Sequence, residues 1–310
     1  MDKKFYIHIG MPKAASTSLQ KNLFDYLPSF HHIGNSHQNS AIDQQVKTII
    51  HSIIGCEQSE YNKKEVYRLL SNKVNAINEK RILLSDESFA MGYSRFPGQV
   101  EKFEIARRLK TLFPDAKILL IIRNQATMLQ SLYAQKLKNS VNLPTWQEWL
   151  KEQKSYSHLT SQFSWLKYDK IYETYSYFFG EDNITISLYE DLISEPLRFY
   201  SNLKLFFDNC IDISTIEKCL SSSQSRNQRT TNYKIKLNKI AKYKRLKSIT
   251  NLIPVTVRKK VNNWANQRVN SINLEYNEED ISFIQEFYSE SNARMSKLLN
   301  FDLTKQEYPM

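Results

Sequence analysis

The chain lacks the features that mark secreted and membrane-spanning proteins. No apolar run approaches the ~20 residues that a helix needs to cross a bilayer. The N-terminus carries no apolar signal-peptide segment, because the first predicted strand begins at residue 5. We therefore expect the mature protein to begin at this N-terminus and to be cytoplasmic.

Cysteine is also scarce, and its pattern excludes two classes of small domain. The three cysteines, Cys56, Cys210 and Cys219, are odd in number and form no CxxC pair. A disulfide framework and a zinc knuckle are both excluded on this ground. We expect three reduced packing residues. The six histidines show no metal-ligand spacing with acids or cysteines, so no metal site is predicted.

Acidic residues are absent from one long segment, residues 218–274. That segment holds 14 of the 43 Lys and Arg residues, which leaves 29 basic against 32 acidic residues elsewhere. We expect it to be mostly helical and to contact either an anionic polysaccharide or an anionic membrane surface, with a solvated charged face as the structural alternative. The membrane alternative would make the protein peripheral to a membrane. No recognition motif accompanies the charge, so nucleic acid is not expected.

The rest of the chain predicts an α/β fold. At 310 residues with a hydrophobic fraction of 41%, it is long enough for one large domain, and we expect residues 1–310 to form a single domain. Short apolar runs predict strands at 5–10, 81–85, 117–123 and 184–189, and helical patterns fall at 17–27, 63–78, 99–113 and 126–138. This alternation predicts a P-loop-like parallel sheet with helices on both faces, followed by a helical, basic C-terminal part.

The most informative stretch is FYIHIGMPKAASTSL, residues 5–19. A strand, a tight small-residue loop and a helix start follow one another, which directs backbone N–H groups and a helix dipole at one point. The stretch differs from the ATP-binding pattern GxxxxGK[ST]. If Gly10 is the first glycine, Ser16 stands where the lysine belongs, and Lys13 lies three positions earlier. The loop is therefore predicted to bind a phosphate-like group, but it lacks the standard residues of a nucleotide-hydrolysing loop.

The segment GMPKAASTSLQ resembles the 5′-phosphosulfate loop of sulfotransferases that use 3′-phosphoadenosine 5′-phosphosulfate (PAPS). The resemblance implies that PAPS is the co-substrate, without a metal, and that its phosphosulfate contacts Lys13, Ala14, Ala15, Ser16, Thr17 and Ser18. Alanines replace the usual Thr-Gly or Ser-Gly of the family pattern. Alanine permits a tight loop in the αR or β region but resists positive φ, so these residues leave open whether the loop makes the same turn as the usual glycine.

A second resemblance lies in RNQATMLQSLY, where Arg123 ends a predicted strand and Ser131 follows eight residues later on a helix. In the family this pair holds the 3′-phosphate of the donor. SSSQSRNQRTTN resembles the late donor-binding loop, which adds Arg226 or Arg229. The stretch beginning at Tyr189, YEDL, and the ending SESNARMSKLLNFDL also resemble the family, and we interpret YEDL mainly as structural.

Sulfuryl transfer needs a base for the acceptor hydroxyl and positive charge at the leaving oxygen. The resemblance gives Lys13 the second task. Glu87, which follows the predicted strand at 81–85, is our predicted base. Asp86 is the alternative base, and the structural interpretation of the two residues is a helix-capping or solvated acid pair. His8 is interpreted as a packed or hydrogen-bonded sheet residue.

These observations predict a sulfotransferase that acts on a hydroxylated acceptor, with a carbohydrate expected. The alternatives are a P-loop-type small-molecule kinase and a non-catalytic module that binds a polyanion or a membrane. We expect acceptor specificity in loops at 34–62, 92–98 and 138–165. Trp146 and Trp149 in the last of these either stack on sugars or pack in the core.

Overall fold

The computed structural model describes residues 3–34, 43–90, 100–139, 144–159, 161–221 and 274–310. In these ranges, parallel strands form a five-stranded sheet in the order β2-β3-β1-β4-β5. The strands are β1 (Lys4–His8), β2 (Phe30–Gly34), β3 (Arg81–Ser85), β4 (Lys117–Ile122) and β5 (Ile184–Leu188). The predicted α/β architecture with a parallel sheet is confirmed.

The helices alternate with these strands along the chain. They are α1 (Ser16–Asn22), α2 (Gln44–Gly55), α3 (Lys63–Asn75), α4 (Lys102–Leu112), α5 (Gln125–Asn139), α6 (Trp146–Ser155), α7 (Gln162–Trp165), α8 (Tyr168–Phe179), α9 (Asp191–Ser194), α10 (Pro196–Phe206), α11 (Ile213–Ser221) and α12 (Glu278–Leu299). Short 3₁₀ turns lie at Phe24–Tyr26, Glu87–Phe89, Glu181–Asn183 and Leu303–Gln306. The four helices predicted between the predicted strands are all present, with ends shifted by at most five residues.

Helices cover both faces of the sheet. On one face the Tyr6 ring of β1 packs against Phe206 of α10, with ring centroids 5.6 Å apart. On the other face Phe5 meets Phe113, just after α4, at 4.8 Å. The strands are therefore buried on both sides, which explains why their sequences show no polar alternation.

The sequence patterns missed several elements. Strand β2 reads FHHIG, and its two central histidines interrupt the apolar run that would have marked it. It lies at the edge of the sheet, where partial exposure tolerates polar residues. The expectation of a loop at 34–62 is wrong, because α2 occupies much of that range, and α6 lies within the predicted loop at 138–165.

The described chain separates into two compact units. The first comprises residues 1–124, 165–224 and 288–310, and the second residues 125–164 and 225–287. The single domain over 1–310 stays a prediction. In the second unit Trp146 and Trp149 stack at 5.5 Å and are only 7% and 2% exposed, so core packing is confirmed for both.

Three other expectations concern the surface and the charged segment. Cys56 and Cys219 are half-buried, whereas Cys210 is exposed, so the packing role is wrong for Cys210. Most of the basic segment, including Arg226 and Arg229, lies outside the described residues. None of the helices in the described ranges combines the length and the apolar character that a bilayer-spanning helix needs.

Candidate active site

The order of the strands brings three chain segments to one edge of the sheet. The central strand β1 pairs with β3 on one side and with β4 on the other. Ligands of open α/β sheets bind at the carboxyl ends of the strands where the strand order reverses, and β1 and β4 form that point here. The loop after β1, the turn after β3 and Arg123 after β4 therefore meet at the same edge.

The loop between β1 and α1 is tightly closed. The N–H of Ala14 donates to the Met11 carbonyl at 3.2 Å, and the Ser16 hydroxyl donates to the same carbonyl at 3.0 Å. Met11 and Ala14 are fully buried, which anchors the loop from below. The first turn of α1 follows directly, so its backbone N–H groups, which have no acceptor within the helix, face the loop edge.

The loop makes a left-handed turn at Ala15, a point that its residues left open. Gly10, Lys13 and Ala15 have φ values of 57°, 67° and 63°, all in the left-handed region. Ala15 thus adopts the conformation that a glycine would take most easily, at a cost of about 1–2 kcal/mol. Because β1 and α1 fix both ends of a short loop, its backbone must turn left-handed even with a methyl group present.

Lys13 and Arg123 form the cationic part of the site. The Arg123 guanidinium donates through Nη1 to the Lys13 carbonyl at 2.7 Å. Burial lowers the pKa of the Lys13 ammonium, the Glu87 carboxylate opposes this effect, and Arg123 adds to it. Lys13 therefore lies within electrostatic range of one carboxylate and one guanidinium.

Arg123 is also supported from its other side. Its guanidinium lies 4.5 Å from the centre of the Tyr189 ring, and its carbonyl accepts a hydrogen bond from the Tyr168 hydroxyl at 2.6 Å. An aromatic face orients the guanidinium that lies over it, and the in-plane N–H groups of a guanidinium suit a planar or tetrahedral anion. Tyr189 begins the YEDL stretch, so this stretch has a structural contact with Arg123.

The neighbour of Arg123 is held by Glu190 of the YEDL stretch and by C-terminal residues that the sequence did not single out. The N–H of Asn124 donates to Glu190 at 2.9 Å, and the Asn124 amide donates to the carbonyl of Glu307 at 2.5 Å. The Tyr308 hydroxyl donates to the second oxygen of Glu190 at 2.9 Å. No local pattern predicts these bonds, since they join positions 66 to 183 residues apart.

The two acids after β3 have different surroundings. Asp86 is 2% exposed, and its carboxylate accepts from the N–H of Ser88 at 2.8 Å, so it caps the 3₁₀ turn at Glu87–Phe89. Glu87 is half-buried and acts on Lys13 electrostatically. A Cβ added to Gly10 would lie 3.4 Å from Glu87 Cγ, which places Glu87 directly against the loop. The geometry thus assigns capping to Asp86 and leaves Glu87 beside the loop.

His8 is a hydrogen-bonded sheet residue, as its position in the strand predicted. It is fully buried, and its Nδ1 lies 2.9 Å from the Ser85 hydroxyl. Burial, together with the nearby His32, lowers the pKa of His8 to about 3, so the ring is neutral at physiological pH.

Two predicted donor-binding residues lie outside the described part of the first compact unit. Ser131 lies on α5, as predicted, and α5 belongs to the second compact unit. Arg226 lies outside the described residues. Their roles stay predictions. Within the described ranges, the His, Cys, Asp and Glu side chains form no group of three or more that could hold a metal ion.

Comparison with known proteins gives the family. The model of the sulfotransferase domain family matches residues 6–296. The crystal structure of a sulfotransferase from Alicyclobacillus acidocaldarius is similar in fold, with a TM-score of 0.51 and 14% identity over 98% of both chains. Mouse sulfotransferase SULT7A1, solved in complex with PAP, gives a TM-score of 0.50 and 12% identity over 97% of this chain and 88% of that one. No curated protein sequence matches the chain significantly.

The chain belongs to the sulfotransferase domain family, whose model covers nearly its whole length. It is an enzyme that depends on PAPS as co-substrate, which confirms the resemblance of its first loop. Family membership decides against the kinase and against the non-catalytic module.

Proposed function

We propose that this sulfotransferase transfers a sulfuryl group to a hydroxyl of a carbohydrate by direct in-line displacement. The observation that carries the proposal is the position of Lys13, within electrostatic range of Glu87 on one side of β1 and of Arg123 on the other. A base and a cation are then both next to the loop that resembles the phosphosulfate loop. In-line transfer needs these two groups on opposite sides of the sulfur.

In this mechanism Glu87 takes the proton of the acceptor hydroxyl as its oxygen attacks the sulfur. The new bond joins that oxygen to sulfur, and the bond between sulfur and the bridging oxygen of the phosphosulfate breaks. The Lys13 ammonium stabilises the negative charge that develops on the bridging oxygen. The products are the sulfated acceptor, 3′-phosphoadenosine 5′-phosphate and a protonated Glu87.

The remaining predicted residues hold the donor. Backbone and hydroxyl groups of residues 14–18 bind the 5′-phosphosulfate, because a closed loop leading into a helix start presents several N–H donors to an anion. Arg123 binds the 3′-phosphate with a guanidinium already oriented by Tyr189. Ser131 and Arg226 complete the 3′-phosphate contacts in this proposal.

The carbohydrate acceptor rests on two features. The base position holds an acid, whereas family members that act on phenols and steroids carry a histidine near it, and His8 is buried and neutral. The basic segment 218–274 supplies the charge that would attract an anionic polysaccharide. A panel of neutral and anionic glycans with labelled PAPS tests this directly. Sulfation of a phenol in preference to every glycan would refute the proposed acceptor class.

The same segment can be tested against its alternative contact. We expect an anionic glycan to be sulfated with a KM that rises steeply with salt, because each charge contact is screened. Flotation with vesicles that contain anionic lipid measures the membrane alternative. Binding to vesicles together with a salt-independent KM would show that the segment contacts a membrane and not the acceptor.

Donor binding is tested with 3′-phosphoadenosine 5′-phosphate and, separately, with ATP and magnesium. We expect thermal stabilisation by the bisphosphate alone. Arg123→Glu should abolish it, and Arg123→Lys should weaken binding about tenfold, because lysine lacks the planar fork of donors. Arg68→Glu is the charge-matched control, since Arg68 pairs only with exposed Glu65 in the described part of the chain. A bisphosphate shift that persists in Arg123→Glu would sink the 3′-phosphate assignment.

The choice between the two acids is tested with isosteric variants. Glu87→Gln should lower turnover by about 10²–10⁴-fold, the usual contribution of a general base, while bisphosphate binding stays. Asp86→Asn keeps an oxygen that accepts from the N–H of Ser88, so its fold and turnover should change little. The reverse result would make Asp86 the base.

A further inference from the structure

A buried polar network lies directly beneath the loop and includes none of the residues with a proposed contact to substrate. The Ser85 hydroxyl accepts a hydrogen bond from the Gln20 amide at 3.0 Å and lies 2.9 Å from His8 Nδ1. All three residues are at most 2% exposed. Polar groups this deeply buried cost free energy unless they are paired, so their pairing fixes their relative positions.

Each member of the network belongs to a different segment of the proposed site. His8 ends β1, two residues before Gly10, and Gln20 lies in α1, which follows the loop. Ser85 ends β3 and is separated from Glu87 by one residue. The bonds join positions 65 and 77 residues apart, so the network ties both ends of the loop to the strand that carries the proposed base.

The backbone reinforces this connection at the same level of the sheet. The N–H of Asp86 donates to the His8 carbonyl at 3.2 Å, and the N–H of Ala90 donates to the Ile9 carbonyl at 3.2 Å. A Cβ on Gly10 would lie 3.2 Å from His8 Cε1 and 3.3 Å from Glu87 Cα. The loop backbone at Gly10 thus lies close to both the His8 ring and the Glu87 turn.

The His8 ring reaches the network through one nitrogen. The neutral ring carries one proton, and the hydrogen bond between Nδ1 and the Ser85 hydroxyl forms in either tautomer, with the hydroxyl as donor or as acceptor. Nε2 has no partner among the described residues. The contact of His8 with Ser85 therefore depends on Nδ1 alone.

We propose that His8, Ser85 and Gln20 position the phosphosulfate loop against the turn that carries Glu87, and that they set the rate of transfer without contacting either substrate. This inference rests on the proposed function, because it assumes that the loop holds the donor and that Glu87 acts on the acceptor. A misplacement of 1 Å between reacting groups lowers rates by about 10²-fold. The groups that bind the bisphosphate lie mostly within the loop itself, so the same displacement should change the affinity for the bisphosphate little.

The test compares two buried strand serines. Ser85→Ala removes the centre of the network, whereas Ser187→Ala changes an equally buried serine of β5 whose hydroxyl has no described partner. We expect Ser85→Ala to lower kcat about 10- to 100-fold while its Kd for 3′-phosphoadenosine 5′-phosphate stays within about 3-fold, and Ser187→Ala to leave both unchanged. Turnover is measured as bisphosphate release from labelled PAPS, with the best glycan of the panel or with water as acceptor.

A second pair of variants at His8 separates positioning from packing. Asn has a side-chain atom close to the place of Nδ1, so His8→Asn should retain most of the turnover, while His8→Leu should resemble Ser85→Ala. The inference is overturned if Ser85→Ala matches Ser187→Ala, if lost folding accounts for the lost turnover, or if kcat and affinity fall in the same proportion. A wild-type protein that does not bind the bisphosphate refutes the proposed function instead, which keeps the two failures distinguishable.

Discussion

Gly10 offers the sharpest perturbation of the site, because it touches both the network and the proposed base. Its φ is +57°, and an alanine Cβ would lie 3.2 Å from His8 Cε1, 3.3 Å from Glu87 Cα and 3.4 Å from Glu87 Cγ. The contact with Glu87 Cα involves backbone, which a rotamer change cannot relieve. Gly10→Ala must therefore displace the Glu87 turn or the loop by a few tenths of an ångström.

The cost can be estimated from two contributions. The left-handed backbone costs about 1–2 kcal/mol for an alanine, and crowding in a packed interior costs about 1–3 kcal/mol. Their sum lowers the Tm of a chain of this length by about 3 to 8 °C, at the usual unfolding entropy per residue. At temperatures well below this Tm the variant stays folded, so a change in turnover reports geometry and not unfolding.

Gly180→Ala is the matched control. Gly180 also has positive φ, +83°, but a Cβ there would meet no atom within 4 Å. We expect both variants to lose stability in thermal unfolding, and only Gly10→Ala to lose turnover per folded molecule, by about tenfold or more. Equal turnover in the two variants would show that the contact of Gly10 with Glu87 does not position the base.

Three further predictions concern stability. Ala15→Gly should raise the free energy of unfolding by up to about 1 kcal/mol, because relief of the left-handed strain exceeds the cost of the added chain entropy. Ala14→Gly changes a fully buried position without positive φ and should lower it by about 1 kcal/mol. Denaturant titration measures both changes. Burial raises the pKa of Asp208, but hydrogen bonds from Lys117, Lys4 and Tyr6 lower it to about 2. The difference in free energy of unfolding between the wild type and Asp208→Asn should therefore be largest above pH 4 and should shrink as the pH falls toward 2. Arg294→Met removes one partner of the buried carboxylate of Asp169, which keeps the hydrogen bond from the Ser291 hydroxyl, and should lower the midpoint of denaturant unfolding. An unchanged midpoint would refute the importance of this pair.

The strand-loop-helix unit at the N-terminus was predictable because it is contiguous. Residues 5–19 determine a buried strand, a closed loop and a helix start within one stretch, and the position of Lys13 distinguishes a phosphosulfate loop from an ATP loop. Arg123 was predictable for the same reason, since it ends an apolar run. The missed strand β2 shows the limit of such patterns: its two histidines conceal a strand that exists mainly because β3 offers it a pairing edge.

The conformation of the loop could not be read from its residues. Alanine disfavours positive φ, yet Ala15 adopts φ 63°, because the strand before it and the helix after it constrain the loop more strongly than its local preference does. Ser131 and Arg226 are positions that the sequence alone proposes, and their roles stay predictions.

The sequence by itself therefore determined the family, the parallel α/β fold and the identity of the main charged residues, since each depends on a short local pattern. Only the tertiary structure decided how those residues lie relative to one another. Strand order places β1 between β3 and β4, which brings Lys13 within electrostatic range of Glu87 and Arg123. Support of Arg123 by Tyr189 and the bonds of Ser85 depend on the order of the strands, because side chains that are distant along the chain meet only when the sheet has formed.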